Sequence, residues 1–132
     1  MELNLEAGAK ARVEMTVAYK DTAKAVASGL AEVFATPSMI ALMENAAYIA
    51  VQPLLPEGMS TVGVRVDAKH MAATPVGLKV WAEAVLSETD GRRLTFDIEA
   101  YDEVEKIGEA RHERFVIDER KFLSRAEAKG KG

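Results

Sequence analysis

Hydrophobic and polar positions follow two different periods along this chain, and the switch between them divides it. In residues 12–19, Val13, Met15, Val17 and Tyr19 alternate with Arg12, Glu14 and Thr16, the pattern of a half-buried strand. Residues 21–34 are alanine-rich. Asp21 stands in N-cap position, Val26, Leu30, Val33 and Phe34 are the apolar points, and Ser28-Gly29 breaks the run, so a short helix or an irregular cover is expected. Thr36-Pro37-Ser38 opens the main helix, with Thr36 as cap and Pro37 at the first helical position. It should stop near Gln52-Pro53, where proline forbids continuation, and Pro56-Glu57-Gly58 makes a turn.

From there the period is two. Val62, Val64, Val66, Ala68 and His70 share the strand face turned to the helix, with Arg65, Asp67 and Lys69 opposite and Gly63 on the outer face. A turn at 74–77 leads to Leu78, Val80, Ala82 and Ala84. Thr89-Asp90-Gly91 signals a hairpin into Leu94, Phe96, Ile98 and Ala100. A fourth strand over roughly 106–118 has poor alternation near Gly108, which marks a bulge or bend. Residues 1–122 read as one domain and 123–132 as a charged, frayed tail.

Strand, helical region, long apolar helix, then four strands joined by short turns make an α+β layer: an antiparallel sheet curled around one helix. That order is the hotdog plan. One sheet around one helix leaves apolar surface and an open edge, and pairing into a homodimer is the expected remedy.

Composition narrows the function. A net charge of −4 gives no pervasive positive field for nucleic acid. The chain has no cysteine, which excludes thiol catalysis and thiolate metal sites and suits a reducing cytoplasm. Two histidines without a carboxylate cluster give no recognisable metal ligand set. No leader pattern is read in residues 1–6, and the main helix is too short and interrupted to span a membrane.

Glu44 is the residue out of place. Within Met39–Val51 its neighbours one turn away are Ile40, Ala41, Ala47 and Tyr48, and a carboxylate on an apolar helix needs a partner. His70, ending the inner face of its strand, is the candidate partner, with coupled titration expected of the pair. Thr36 is explained by capping alone, yet its hydroxyl also stands at a helix N-terminus suited to an oxyanion. Eight residues separate Thr36 and Glu44, so they lie roughly 12 Å apart along the helix and about 80° apart in direction. They cannot hydrogen-bond within one helix; either the substrate spans them, the helix start is irregular, or the site draws on two subunits, and a dimer seam is the favoured expectation. Glycine at 63 allows a close backbone approach or a bulge. On the last strand, His112 and Arg114 share one side.

With these residues identified, the chain resembles the hotdog-fold acyl-CoA thioesterases, and among them the fluoroacetyl-CoA thioesterase group. The stretches that carry the likeness are Glu32-Val33-Phe34-Ala35-Thr36, Leu42-Met43-Glu44, Gly91-Arg92-Arg93-Leu94, His112-Glu113-Arg114 and Lys121-Phe122. The resemblance implies Thr36, Glu44 and His70 as the catalytic set. Gly63 takes the place of a glycine whose backbone lies by the thioester, and Arg114 falls in the His-Glu-Arg stretch as a substrate-binding candidate. It further implies hydrolysis of a small or medium acyl-CoA to free acid and CoA, with no cofactor beyond the CoA carried by the substrate. The segment before the main helix, aromatic in the fluoroacetyl-specific enzyme, here offers Phe34 alone, so a fluorinated acyl group is not the expected substrate. Two other readings remain open: a non-catalytic acyl-CoA-binding domain and an enoyl-CoA hydratase.

Overall fold

A computed structural model describes Leu3 and residues 5–131. Met1, Glu2, Asn4 and Gly132 lie outside the described residues, and with them part of the stretch read for a leader and the end of the expected tail. Strand β1 (Lys10–Thr16) is followed by a 3-10 turn at Tyr19–Asp21 and helix α1 (Thr36–Val51). Strands β2 (Met59–His70), β3 (Lys79–Asp90), β4 (Arg93–Asp102) and β5 (Lys106–Asp118) come next, and helix α2 (Glu119–Gly130) ends the fold. All pairings are antiparallel in the order β1-β3-β4-β5-β2, so β1 and β2 are the edges. The α+β hotdog architecture expected from the sequence is the one observed.

Helix α1 buries Met39, Leu42, Met43, Ala46, Ala47, Ala50 and Val51, one stripe at helical spacing, chiefly against β3 and β1. The sheet answers with fully buried Ala82, Ala84 and Ala100, and alanine facing alanine lets the helix sit close in the curled sheet. Phe96, Leu86, Leu94 and Ile98 fill the wider parts of the core. The helix is not buried all round. Ala41, Asn45, Tyr48 and Ile49 are exposed, and Glu44 lies at the border between the two faces.

Residues 22–34 form an irregular cover rather than a helix. Their carbonyls and N–H groups pair locally, Ala23 N to Val33 O and Lys24 N to Ala31 O. Asp21 does not cap a helix there; its carboxylate accepts the N–H of Ala18 at 2.9 Å. The charged segment expected as a frayed tail is helix α2, capped by Asp118, whose side chain accepts Lys121 N, and it buries no residue.

Strand β2 departs most from simple alternation. Gly63 pairs with Arg114 and Arg65 with Glu113, leaving Val64 as an extra residue. This bulge reverses the parity of the strand. Before it, Thr61 and Gly63 face inward opposite Val116 and Arg114, and Val62 faces outward opposite exposed Phe115. After it, Val66, Ala68 and His70 face inward opposite His112, Ala110 and Gly108. The sequence reading set Val62 and Val64 on the inner face and Gly63 on the outer one. A single unpaired residue corrects all three.

A second irregularity, where the register between β4 and β5 slips past Ile107, lies beside Gly108. A Cβ on Gly108 would stand 2.5 Å from Met39 Sδ and 2.9 Å from the Lys69 carbonyl. Gly108→Ala is therefore expected to destabilise the fold by about 1–3 kcal/mol through overpacking, since the Lys69 backbone cannot swing away. Denaturant unfolding against the wild type checks it; an unchanged midpoint would mean that β2 yields at this point.

Candidate active site

Two clusters of polar side chains lie along β2, one at its end at His70 and one beside Gly63. The first joins Thr36 and His70. Thr36 is the first residue of α1, with Ala35 as its N-cap and no side-chain cap bond, so the threonine is not the cap expected from the sequence. Its hydroxyl is instead 2.7 Å from His70 Nδ1. One packing contact and one backbone bond hold the pair in register. Gly108 opposite His70 leaves room for Met39 beneath it, and Phe34 N donates to Thr74 O at 2.8 Å. Thr74 is itself fully buried and donates its hydroxyl to Asp102 at 2.7 Å, while Asp102 also accepts the N–H groups of Val104 and Glu105.

Burial pushes the His70 pKa below the ordinary 6.5, opposed by the Ala72 backbone, so the ring is neutral at pH 7. A neutral imidazole hydrogen-bonded to a hydroxyl can take its proton, the arrangement of a base beside a nucleophile or a proton relay. His70 Nε2 is buried without a hydrogen-bond partner among the described residues. The pair lines a cleft of about 350 Å³, walled by Ala23, Val33, Ala35, Ala72 and Ala73. A larger groove of about 530 Å³ lies between Glu57-Gly58 and the start of α2, and neither Thr36, Glu44 nor His70 lines it.

The second cluster surrounds Glu44. Its carboxylate is 3.6 Å from Arg114 Nη1 and 3.9 Å from His112 Nε2, and the side chain is 39% exposed. Glu44 is thus half-buried at the β2 edge, not sealed in the core. Gly63 makes room for it: a Cβ there would fall 2.5 Å from Glu44 Oε2, 3.2 Å from His112 Cε1 and 3.4 Å from Arg114 Nη1. Arg114, 7% exposed, is fixed from behind, Nε donating to Thr61 Oγ1 at 2.8 Å and Nη2 to Thr61 O at 3.0 Å. Burial pulls its pKa below the usual arginine range, resisted by Glu44 and Tyr48.

Two expectations change. Within one chain the partner of Glu44 is Arg114, not His70: Arg114 faces inward on β5 beside Leu94, and the bulge turns Gly63 inward opposite it. His112, not chosen as a site residue from the sequence, belongs to the Glu44 cluster; its shared side with Arg114 was the available signal. The residues of the predicted set therefore fall into two groups, Thr36 with His70 and Glu44 with Gly63 and Arg114. Among the described residues no group of three or more metal-ligating side chains is assembled.

The family model described as fluoroacetyl-CoA-specific thioesterase matches residues 17–120. The fluoroacetyl-CoA thioesterase of Streptantibioticus cattleyicolor is 43% identical over 98 residues, 74% of this chain and 70% of that protein. A solved structure of the fluoroacetyl-CoA thioesterase superposes with a TM-score of 0.90 at 34% identity, covering 96% of this chain and 98% of the other. A Thermus thermophilus hypothetical protein, a thioesterase superfamily member, gives 0.87 at 29% identity over 96% and 93% of the two chains. The fold and these relationships define a hotdog-fold thioester hydrolase. Within that class, the chain belongs to the fluoroacetyl-CoA-specific thioesterase family.

Folded His70 and His112 both titrate below 6.5, so on acidification the unfolded chain binds protons first. The stability they contribute is complete above pH 6.5 and declines as pH falls through that value toward the folded pKa values. Denaturant midpoints measured downward from pH 7 should fall accordingly, and His70→Asn should flatten part of the slope.

Proposed function

We propose that two copies of this chain form a homodimer whose active sites each combine Thr36 and His70 of one protomer with Glu44 of the other. The activity class, hydrolysis of an acyl-CoA thioester to free acid and CoA, is that of the family. The observation that carries the shared site is the separation of the two clusters along α1, with the open edge of β2 between them. Val64 is 57% exposed on that edge, and Tyr48 and Ile49 are exposed on the helix beside Glu44. An unpaired strand edge bearing apolar side chains favours strand addition. Antiparallel pairing of two β2 edges about an axis near Val66-Asp67 would set Gly63 of one copy opposite His70 of its partner.

In this reading the substrate carbonyl lies between the start of α1 and the glycine at 63. The N–H groups of the first helical turn, which lack intrahelical acceptors, stabilise the oxyanion of the tetrahedral intermediate. Glu44 activates water or attacks the carbonyl, and His70 moves the proton through the Thr36 hydroxyl to the departing CoA sulfur. Arg114 Nη1, 3.6 Å from the Glu44 carboxylate, orients it toward the substrate. The alanine-walled cleft suits a small or medium acyl group, and it carries Phe34 as its one aromatic wall among the described residues. A cytoplasmic setting belongs to the same reading, supported by a cysteine-free composition suited to a reducing compartment. The acyl-CoA-binding and hydratase alternatives are not favoured by the family relationship.

Release of free thiol from acetyl-, butyryl- and benzoyl-CoA, followed with a thiol-reactive dye, tests the activity. Glu44→Gln should lower kcat by about 10²–10⁴-fold while the variant still folds, as circular dichroism checks; wild-type turnover in that variant would remove Glu44 from the chemistry. Mixing Glu44→Gln with His70→Asn tests the sharing. Random re-association should restore about a quarter of wild-type activity, because half the dimers then carry one complete site of two. No recovery after verified exchange would place each site within a single chain.

A further inference from the structure

His112 is a buried histidine whose two ring nitrogens have unambiguous partners. Nδ1 lies 2.7 Å from the Arg65 carbonyl oxygen, which can only accept, so Nδ1 carries the proton. Nε2 lies 3.2 Å from Arg114 Nη1, which can only donate, so Nε2 presents its lone pair. Both bonds are made at once only by the neutral Nδ1–H tautomer. The 3.9 Å approach of Nε2 to Glu44 is therefore not an ion pair, since the nitrogen carries no proton to share.

The Arg65 carbonyl stands within reach of His112 just after the bulge, and the guanidinium is left with one nitrogen, Nη1, turned to both His112 and Glu44. We propose that His112 is a positioning residue for the reaction: fixed by the Arg65 carbonyl, it holds Arg114 Nη1 in place, and through it the Glu44 carboxylate. This role rests on the reading of Glu44 as the carboxylate that activates water or attacks the thioester.

The charged groups around the ring agree with a neutral state. From β5 come Arg114, which opposes a second positive charge, and Glu113; from α1 comes Glu44; β2 offers the Arg65 carbonyl and β4 the ring of Phe96, 6.3 Å away between centroids. Burial, the largest influence, holds the pKa below 6.5, with Arg114 acting in the same direction and the Arg65 carbonyl, Glu44 and Glu113 against it. His112 differs in this from His70, whose Nδ1 faces a hydroxyl able to give or accept a proton.

Nitrogen-15 spectra of the imidazoles test the tautomer directly, and the chain has two histidines to assign. At pH 7 His112 should show a protonated Nδ1 and a bare Nε2; an Nε2–H tautomer or an imidazolium would overturn the proposal. In kinetics, His112→Phe should fill the same space and lower kcat about 10–100-fold, the range found when a residue orienting a functional ligand is removed. KM should stay within about twofold of the wild type. His112→Gln, which keeps one donor and one acceptor, should regain most of kcat. A folded His112→Phe enzyme with wild-type kcat, or a Gln variant no better than Phe, would sink the positioning role. If the Phe variant does not fold, the nitrogen spectra and the Gln variant decide: a Gln enzyme that folds without turnover counts against the role, one that keeps turnover supports it. Glu44→Gln run alongside separates the two levels. Full activity there removes the reading of Glu44 itself, whereas an inactive Glu44→Gln beside a fully active His112→Phe removes only the role of His112.

Discussion

One unpaired residue in β2 decides where the polar side chains of the candidate site stand. The extra step at Val64 turns Gly63 inward beside Glu44, restores the inward face from Val66 to His70, and leaves the Arg65 carbonyl within reach of His112. Strand side chains alternate with a period of two, so a strand without this step could present Gly63 or His70 to the helix, but not both. The bulge satisfies both demands on a single strand, at the cost of one residue outside the ladder. It also falls on an edge strand, where such irregularities disturb fewer hydrogen bonds than in the middle of a sheet.

Helix geometry supplies the second constraint. Thr36 begins α1 and Glu44 lies two turns on, so neither rotamers nor small movements bring their functional groups together. The consequences differ for the two ends. At the start of the helix the threonine is relieved of capping, because Ala35 is the N-cap, and its hydroxyl goes to His70. Two turns later the glutamate meets buried Arg114, whose charge would be costly so deep in the sheet without Glu44 and the two Thr61 acceptors. Each cluster is self-consistent, and neither holds a full set of acid, base and oxyanion donors. The edge of β2 lies between them.

The electrostatics of the Glu44 cluster are ordered by hydrogen-bonding capacity more than by charge. A carbonyl cannot donate and a guanidinium cannot accept, and between them they leave the His112 ring one possible protonation state. The chain thus carries two histidines in different states of freedom. His70 has a hydroxyl at one nitrogen and can exchange a proton with it, while His112 has both nitrogens committed. The resemblance in composition between the two positions hides that distinction, and the hydrogen bonds of the folded state reveal it.

Much of the fold was legible in the residues themselves. Proline at 37 and 53 limits α1 because its ring and missing N–H act locally, and alternation set out β3, β4 and β5 because their side chains face either core or solvent. The family likeness carried Thr36, Glu44 and His70. What the sequence could not decide depends on partners far along the chain. Alternation continues unbroken through Val62, Val64 and Val66, so the bulge is invisible until β5 supplies the register that skips Val64. Thr36 looks like a cap until a histidine 34 residues away takes its hydroxyl. Glu44 and His70 look like partners until the inward turn of Gly63 and Arg114 gives the carboxylate a nearer cation. Local propensities act over one or two turns and are written in the chain; the register of strands and the pairing of buried charges are settled when distant segments meet.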